Sequence, residues 1–278
     1  MNPISGSTLT VGVIGSPVRH SLSPRLHNAA FDALGIDARS LAFPVDPGAG
    51  AAAVDAMRVL GIRGLSVTMP HKDTVLAAAD ARSEAATALQ AANCLVNDDG
   101  VVTAYNTDGD GFVRSLDVEH GVTLDDARVV IVGAGGAARS VAEAVGRAGA
   151  SDVAILNRTP EKAAQAAAVG GPHARIGSLD DVEGAAVVVN ATSLGMGPED
   201  PLPVPVDRIG PGHLVVDLIY RPLTTPLLAA AAERGATTAN GVAMLLHQAA
   251  IQLELWTGRP PPVEAMRAAV ATDMGAAG

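Results

Sequence analysis

The chain has 278 residues, 48% of them hydrophobic but only 2% aromatic, with one cysteine and a formal charge of −10 at pH 7. This balance argues against nucleic acid or an anionic membrane surface as the main partner, and a lone Cys94 excludes an intramolecular disulfide. A core of Ala, Val and Leu suits thin sheets and closely packed helices, hence an α/β fold. With no long apolar run and no charged-then-apolar leader at the start, the expectation is a cytoplasmic protein.

In chain order, LTVGVIG (9–15) reads as a strand, and SPRLHNAAFDALG (23–35) as a helix with Ser23 as N-cap, Pro24 in the first turn and Gly35 as its stop. Short apolar runs at 40–45, 64–68, 92–97 and 101–106 predict further strands in a βαβ rhythm, and so a mostly parallel sheet. A second unit opens at ARVVIVGAGGAARSVAEAVGRAGA (127–150), a buried strand running into a Gly-rich turn and an Ala-rich helix. Strands follow at 152–157, 185–192 and 213–220, the last two separated by a Pro-rich loop at 197–212. The helix at 242–258 is long and apolar enough to return to the first unit. The predicted division is 1–110 plus 243–278 against 111–242.

Gly133, Gly135 and Ala138 form G-x-G-x-x-A between that strand and that helix. The first glycine permits the tight turn, the second lets backbone approach a pyrophosphate, and the small third residue lets the helix pack over the strand. The anion then meets N–H groups at a helix N-terminus. About twenty residues on, where an NAD enzyme carries an acid for the ribose 2′-hydroxyl, the chain reads Asn157-Arg158-Thr159 with Lys162 following. A guanidinium and a hydroxyl suit a 2′-phosphate, so NADP(H) is the expected cofactor. For Lys162 the plain alternative is a solvated helix residue.

Lys72, in SVTMPHK, is one of only two lysines beside seventeen arginines. Unlike arginine, lysine can give up and regain a proton. It follows one predicted strand, and Asp108 in YNTDGDG follows another. In a parallel sheet both loops open on the carboxyl edge, where an amine and a carboxylate can form a proton-handling pair. Ser21, Ser23, Ser66, Thr68, Asn93, and Gln248 on the returning helix, are polar groups expected to cluster where these loops meet, although Ser23 is also accounted for as a cap and Gln248 as a solvated residue. Asn106, Asp108, Asp110, Gly111 and Asp117 mimic a calcium loop, but Asn opens it, Asp closes it and a strand precedes it, so calcium is rejected. His27, His71, His247 and Cys94 lack metal-ligand spacing, and no metal is expected.

Together GSPVRHSLSPRLHN, SVTMPHK, AANCLV, YNTDGDG, VGAGGAARS, NRT, NATSLGM, DLIYRPLTTPLL and GVAMLLHQAA resemble the shikimate dehydrogenase family in its order, from about residue 10 to 270. The resemblance implies a substrate domain with a mostly parallel sheet, a Rossmann-like NADP-binding domain, and interconversion of 3-dehydroshikimate and shikimate on the route to chorismate. It implies Lys72 and Asp108 as the catalytic pair and Ser21 and Ser23 as holders of the substrate carboxylate. Thr68, Asn93, Tyr220 and Gln248 fall on other substrate-contacting positions. It places Gly133, Ala134, Gly135, Gly136 and Ala137 at the pyrophosphate, Asn157, Arg158 and Thr159 at the 2′-phosphate, and Thr192, Leu218, Gly241 and Met244 near the nicotinamide. Two departures stand out: the family's N-V-T reads Ser66-Val67-Thr68, and its A-V-N-T reads Ala91-Ala92-Asn93-Cys94. A shorter Ser66 leaves quinate or an aminoshikimate open as the substrate, and a catalytically idle NADP-binding sensor is the reading from another class. Monomer and homodimer both remain open.

Overall fold

The structure, a computed structural model, describes residues 3–197 and 199–275. Its elements cluster into two compact units, the chain up to Thr107 with the stretch from Leu246 onward, and Asp108–Leu245. The dividing points therefore fall at 107/108 and 245/246, a few residues from the predicted 110/111 and 242/243.

The first unit contains β1 (Leu9–Gly15), α1 (Ser23–Leu34), β2 (Ala38–Pro44), α2 (Gly50–Val59), β3 (Gly64–Val67), α3 (Lys72–Ala78), β4 (Ala81–Arg82), α4 (Glu84–Leu89), β5 (Cys94–Asp98) and β6 (Val101–Tyr105). Its sheet has the order β2-β1-β3-β5-β6-β4. Pairs β1–β2, β1–β3 and β4–β6 are parallel, but β5 runs antiparallel to both its neighbours. The cause is a two-residue turn, Asp99-Gly100, with positive φ at both positions (50° and 94°), the geometry that matches strand twist in a hairpin. Residues 94–105 are therefore a hairpin within an otherwise parallel sheet. Helix α1 ends at Gly35 in the left-handed region (φ 66°), as expected. Its N-cap is Leu22, however, with Ser23 inside the first turn, which corrects the predicted cap.

The second unit runs through α5 (Asp108–His120), β7 (Arg128–Val132), α6 (Gly136–Arg147), β8 (Asp152–Leu156), α7 (Pro160–Val169), β9 (Ala174–Ile176), β10 (Val187–Asn190), β11 (Leu214–Asp217), α8 (Pro226–Glu233) and β12 (Thr237–Asn240). Helix α9 (Val242–Thr257) begins here and continues into the first unit, where α10 (Val263–Gly275) packs on α1. The sheet is parallel throughout, in the order β12-β11-β10-β7-β8-β9, the doubly wound arrangement with its reversal between β7 and β10. Alternate residues feed two cores. Val129, Ile131, Val153, Ile155, Val187 and Val189 face one, while Val130, Val132, Ala154, Leu156 and Val188 face the other. Burial on both faces explains why these strands read as unbroken apolar runs.

Candidate functional site

Because β5 is reversed, the ends of β1, β3 and β6 share one edge of the first sheet with the beginning of β5. Thr68, just past β3, donates its N–H to the Ile14 carbonyl (3.0 Å). Lys72, half-buried, opens α3, and its carbonyl accepts the Ala92 N–H (2.8 Å), tying the lysine's turn to the start of the hairpin. Asn93 is held by backbone on both sides, its carbonyl accepting from Val67 (2.8 Å) and its N–H donating to Tyr105 (3.0 Å). Its buried side chain accepts the Thr107 N–H at Oδ1 (2.7 Å), and its Nδ2 donates to Thr107 Oγ1 (3.0 Å) and, at 3.5 Å, to Gln248 Oε1. Gln248 is 7% exposed, so the solvated alternative is overturned.

Ser23 donates its N–H to Ser21 Oγ (3.3 Å), so Ser21 supplies the hydroxyl at the start of α1. Ser66 is buried and sits opposite Val13 and Cys94 in the ladder. Burial pushes the Cys94 thiol well above its ordinary range, which leaves it an inert core residue. Asp108 and half-buried Tyr220 belong to the second unit, Asp108 at the first position of α5, directly after Thr107.

The second unit carries a pocket of about 590 Å³ at the carboxyl ends of four parallel strands. It is lined by Gly133 after β7, Asn157, Arg158, Thr159 and Lys162 after β8, Gly177 to Leu179 after β9, and Thr192 to Leu194 after β10. Gly133 has φ +112°, and a Cβ there would stand 2.9 Å from the Ala191 carbonyl oxygen, so only glycine lets β7 turn this close to β10. At Gly135 and Gly136 a Cβ would meet nothing within 4 Å, leaving open room at the start of α6. Ala138 is fully buried beneath it.

Arg158 and Lys162 are exposed, and Thr159 caps α7 by backbone alone, without a side-chain cap bond. Asn157 Nδ2 donates to the Thr159 carbonyl (3.0 Å), which shapes this turn. Two cations, a hydroxyl and a helix N-terminus fit a phosphate monoester on a dinucleotide. Ala134, Gly135, Gly136 and Ala137 do not line this pocket. Neither do Leu218 and Met244, which with Ala134 pack against the β7–β8–β10 core, nor Gly241, whose N–H donates to Ile219 (3.0 Å).

The sequence reading missed Gly177, Ser178 and Leu179. They follow a three-residue strand whose charged Arg175 hides any apolar pattern. That wall is fixed by Asp181, which accepts the Ser178 N–H (2.7 Å) and pairs with Arg175 (2.6 Å), the Arg175 hydrogen bond lowering its carboxyl to about 2. It also missed the support beneath Thr192. Thr192 Oγ1 donates to Asn190 Oδ1 (2.7 Å), and buried Asp217 accepts from Asn190 Nδ2 (3.0 Å), the Ile219 N–H (3.1 Å) and Thr225 Oγ1 (2.7 Å). Burial raises the Asp217 carboxyl above its ordinary range. Among the described residues no group of three or more His, Cys, Asp or Glu could hold a metal ion, and no helix is long and apolar enough to cross a membrane.

The chain matches the families described as the shikimate dehydrogenase substrate binding domain over residues 13–95, shikimate / quinate 5-dehydrogenase over 116–194, and the shikimate 5'-dehydrogenase C-terminal domain over 241–271. A shikimate dehydrogenase (NADP(+)) of Moorella thermoacetica is 45% identical, the alignment covering 99% of this chain and 97% of the relative. The shikimate 5-dehydrogenase of Thermus thermophilus, solved with NADP(H) and shikimate, superposes with a TM-score of 0.88 at 34% identity over 95% and 99% of the two chains. The quinate dehydrogenase of Corynebacterium glutamicum, solved with NAD, does so at 0.87 and 33% over 95% and 99%. At these identities over nearly the full length, the chain belongs to the shikimate dehydrogenase family.

Proposed function

We propose that this protein catalyses the reversible NADPH-dependent reduction of 3-dehydroshikimate to shikimate, with the first unit binding substrate and the second binding the cofactor. The observation that carries the reading is the gathering of Thr68, Lys72, Asn93 and Gln248 at one edge of the first sheet, in a chain whose relatives bear that enzyme's name. NADP(H), when bound, supplies or accepts the hydride. Arg158, Lys162 and Thr159 hold its 2′-phosphate, and the open backbone at Gly135 and Gly136 receives the pyrophosphate.

Ser21 and Ser23 bind the substrate carboxylate, and Asn93, Gln248 and Asp108 take its ring hydroxyls. Lys72 Nζ accepts the proton of the reacting hydroxyl in oxidation and returns it in reduction, with Asp108 orienting that exchange. A second reading is favoured by Ser66: its short side chain removes an amide donor from the edge, which suits a quinate-using relative. Initial rates of nicotinamide reduction with shikimate and quinate, each with NADP⁺ and NAD⁺, separate the two. A preference for shikimate with NADP⁺ is expected. Turnover of quinate alone would move the assignment to the second reading, and turnover of neither would leave a binding protein without catalysis.

A further inference from the structure

Four buried polar side chains of the first unit, Asn93, Thr107, Gln248 and Gln252, form one network in which two backbone groups dictate every amide orientation. The Thr107 N–H can only donate, so Asn93 must turn Oδ1 toward it (2.7 Å) and keep Nδ2 as a donor. The Asn93 carbonyl can only accept, so Gln252 must turn Nε2 toward it (3.3 Å). That same Nε2 also reaches Thr107 Oγ1 (3.4 Å) and, more closely, Gln248 Oε1 (2.8 Å).

Gln248 thus has its oxygen against two amide nitrogens, Gln252 Nε2 and Asn93 Nδ2 (3.5 Å). Turning its amide over would set three donors face to face. The arrangement has a visible cost, since Gln252 Oε1 is buried and has no partner among the described residues. A fully buried amide that satisfies its neighbours and leaves its own oxygen unpaired is placed for its neighbours' sake.

We infer that Gln252 is a positioning residue, which fixes Gln248 with Oε1 inward so that Gln248 meets the substrate as a hydrogen-bond donor to a ring oxygen. The inference rests on the reading of Gln248 as a substrate contact. Gln252→Met keeps the length of the side chain and deletes its amide, and Gln252→Glu offers Gln248 an acceptor in place of a donor.

In the purified full chain, Gln252→Met is expected to raise the shikimate KM about tenfold, the rise falling on KM and not on kcat or on the KM for NADP⁺. Gln252→Glu should raise it further. Adding Gln252→Met to Gln248→Ala should do no more than Gln248→Ala alone, since the first acts only through the second. A merely structural role would instead lower thermal stability without this KM pattern. An unchanged shikimate KM in folded Gln252→Met, or additive effects in the double variant, overturns the inference. Should Gln252→Met fail to fold, Gln252→Glu and Gln252→Ser give the same readout. If Gln248→Ala itself leaves the shikimate KM of an active enzyme unchanged, the substrate reading of Gln248 has failed and the inference with it. If Gln248→Ala raises KM and Gln252→Met does not, only the positioning role has failed.

Discussion

The two units assemble their binding edges by different routes. In the second, all six strands run one way, so the loops after β7, β8, β9 and β10 open together and backbone shape does most of the work, through Gly133 and the starts of α6 and α7. In the first, β5 is reversed and contributes its beginning, so Asn93 enters the edge where a parallel strand would have turned away. That edge is specified by side chains, in a buried amide network, and less by glycine geometry. A parallel edge can be read off turn motifs, whereas a mixed edge demands individual polar residues in fixed orientations. Substitutions should therefore act differently in the two units.

The largest separation is expected from Lys72→Met. If Lys72 handles the proton, kcat should fall about 10²–10⁴-fold, while the KM for NADP⁺ and the melting temperature stay near wild type. Steady-state kinetics with shikimate test this, and near-normal turnover in a folded variant would remove Lys72 from the mechanism. Next comes Arg158→Ala in the second unit. Losing a charge-assisted contact to the 2′-phosphate should raise the KM for NADP⁺ about 10–100-fold, with NAD⁺ kinetics unaltered. An equal loss with both cofactors would place Arg158 elsewhere than on the 2′-phosphate.

The same contrast decides what the sequence could reveal. Valine-rich strands buried on both faces, and a Gly133 turn with nowhere for a Cβ, leave signatures that survive without a structure. So do Arg158, Thr159 and Lys162, whose place after β8 follows from chain order in a parallel sheet. The hairpin at 94–105 was legible in principle, through Asp99-Gly100 between two alternating apolar runs, but the surrounding βαβ rhythm masked it. Ser23 reads as the cap because serine before proline is a common helix start, and only the backbone shows that Leu22 is the cap. Gln248 is marked by the family resemblance, but its burial and that of Gln252 could not be read from an Ala/Leu-rich helix, because both depend on Asn93 and Thr107, more than a hundred residues away in sequence.

Gly133→Ala sharpens the comparison on the backbone side. A non-glycine residue at φ +112° with a Cβ 2.9 Å from the Ala191 oxygen should cost about 1–3 kcal/mol of stability. Urea unfolding would show it, together with weakened NADP⁺ binding as β7 and β10 move apart. In the first unit, Gly64 is just as intolerant for a different reason, since its missing Cβ is filled by the Trp256 indole.

The smallest effect distinguishes the units by pH. In the first unit His27 is fully buried, its Nδ1 3.1 Å from Ser40 Oγ and its ring edge-on to Trp256 at 4.7 Å, and burial lowers it from 6.5 to about 3. The folded state stays neutral while the unfolded chain takes up a proton below pH 6.5. The contribution is therefore complete above pH 6.5 and is lost as pH falls toward 3. In the second unit the buried Asp217 carboxyl is raised, so it retains a proton that the unfolded chain has already released. Its contribution has the opposite sign and grows as pH falls toward the ordinary carboxylate range. Between pH 6.5 and about 4.5 the half-buried Asp181, lowered to about 2, is ionised in both states and adds almost no pH dependence. Hydrogen exchange across that window should show β1 and β3 losing protection faster than β7 and β10, and His27→Gln should remove that loss from β1 and β3. Equal loss in both units would mean that His27 does not govern the acid stability of the first.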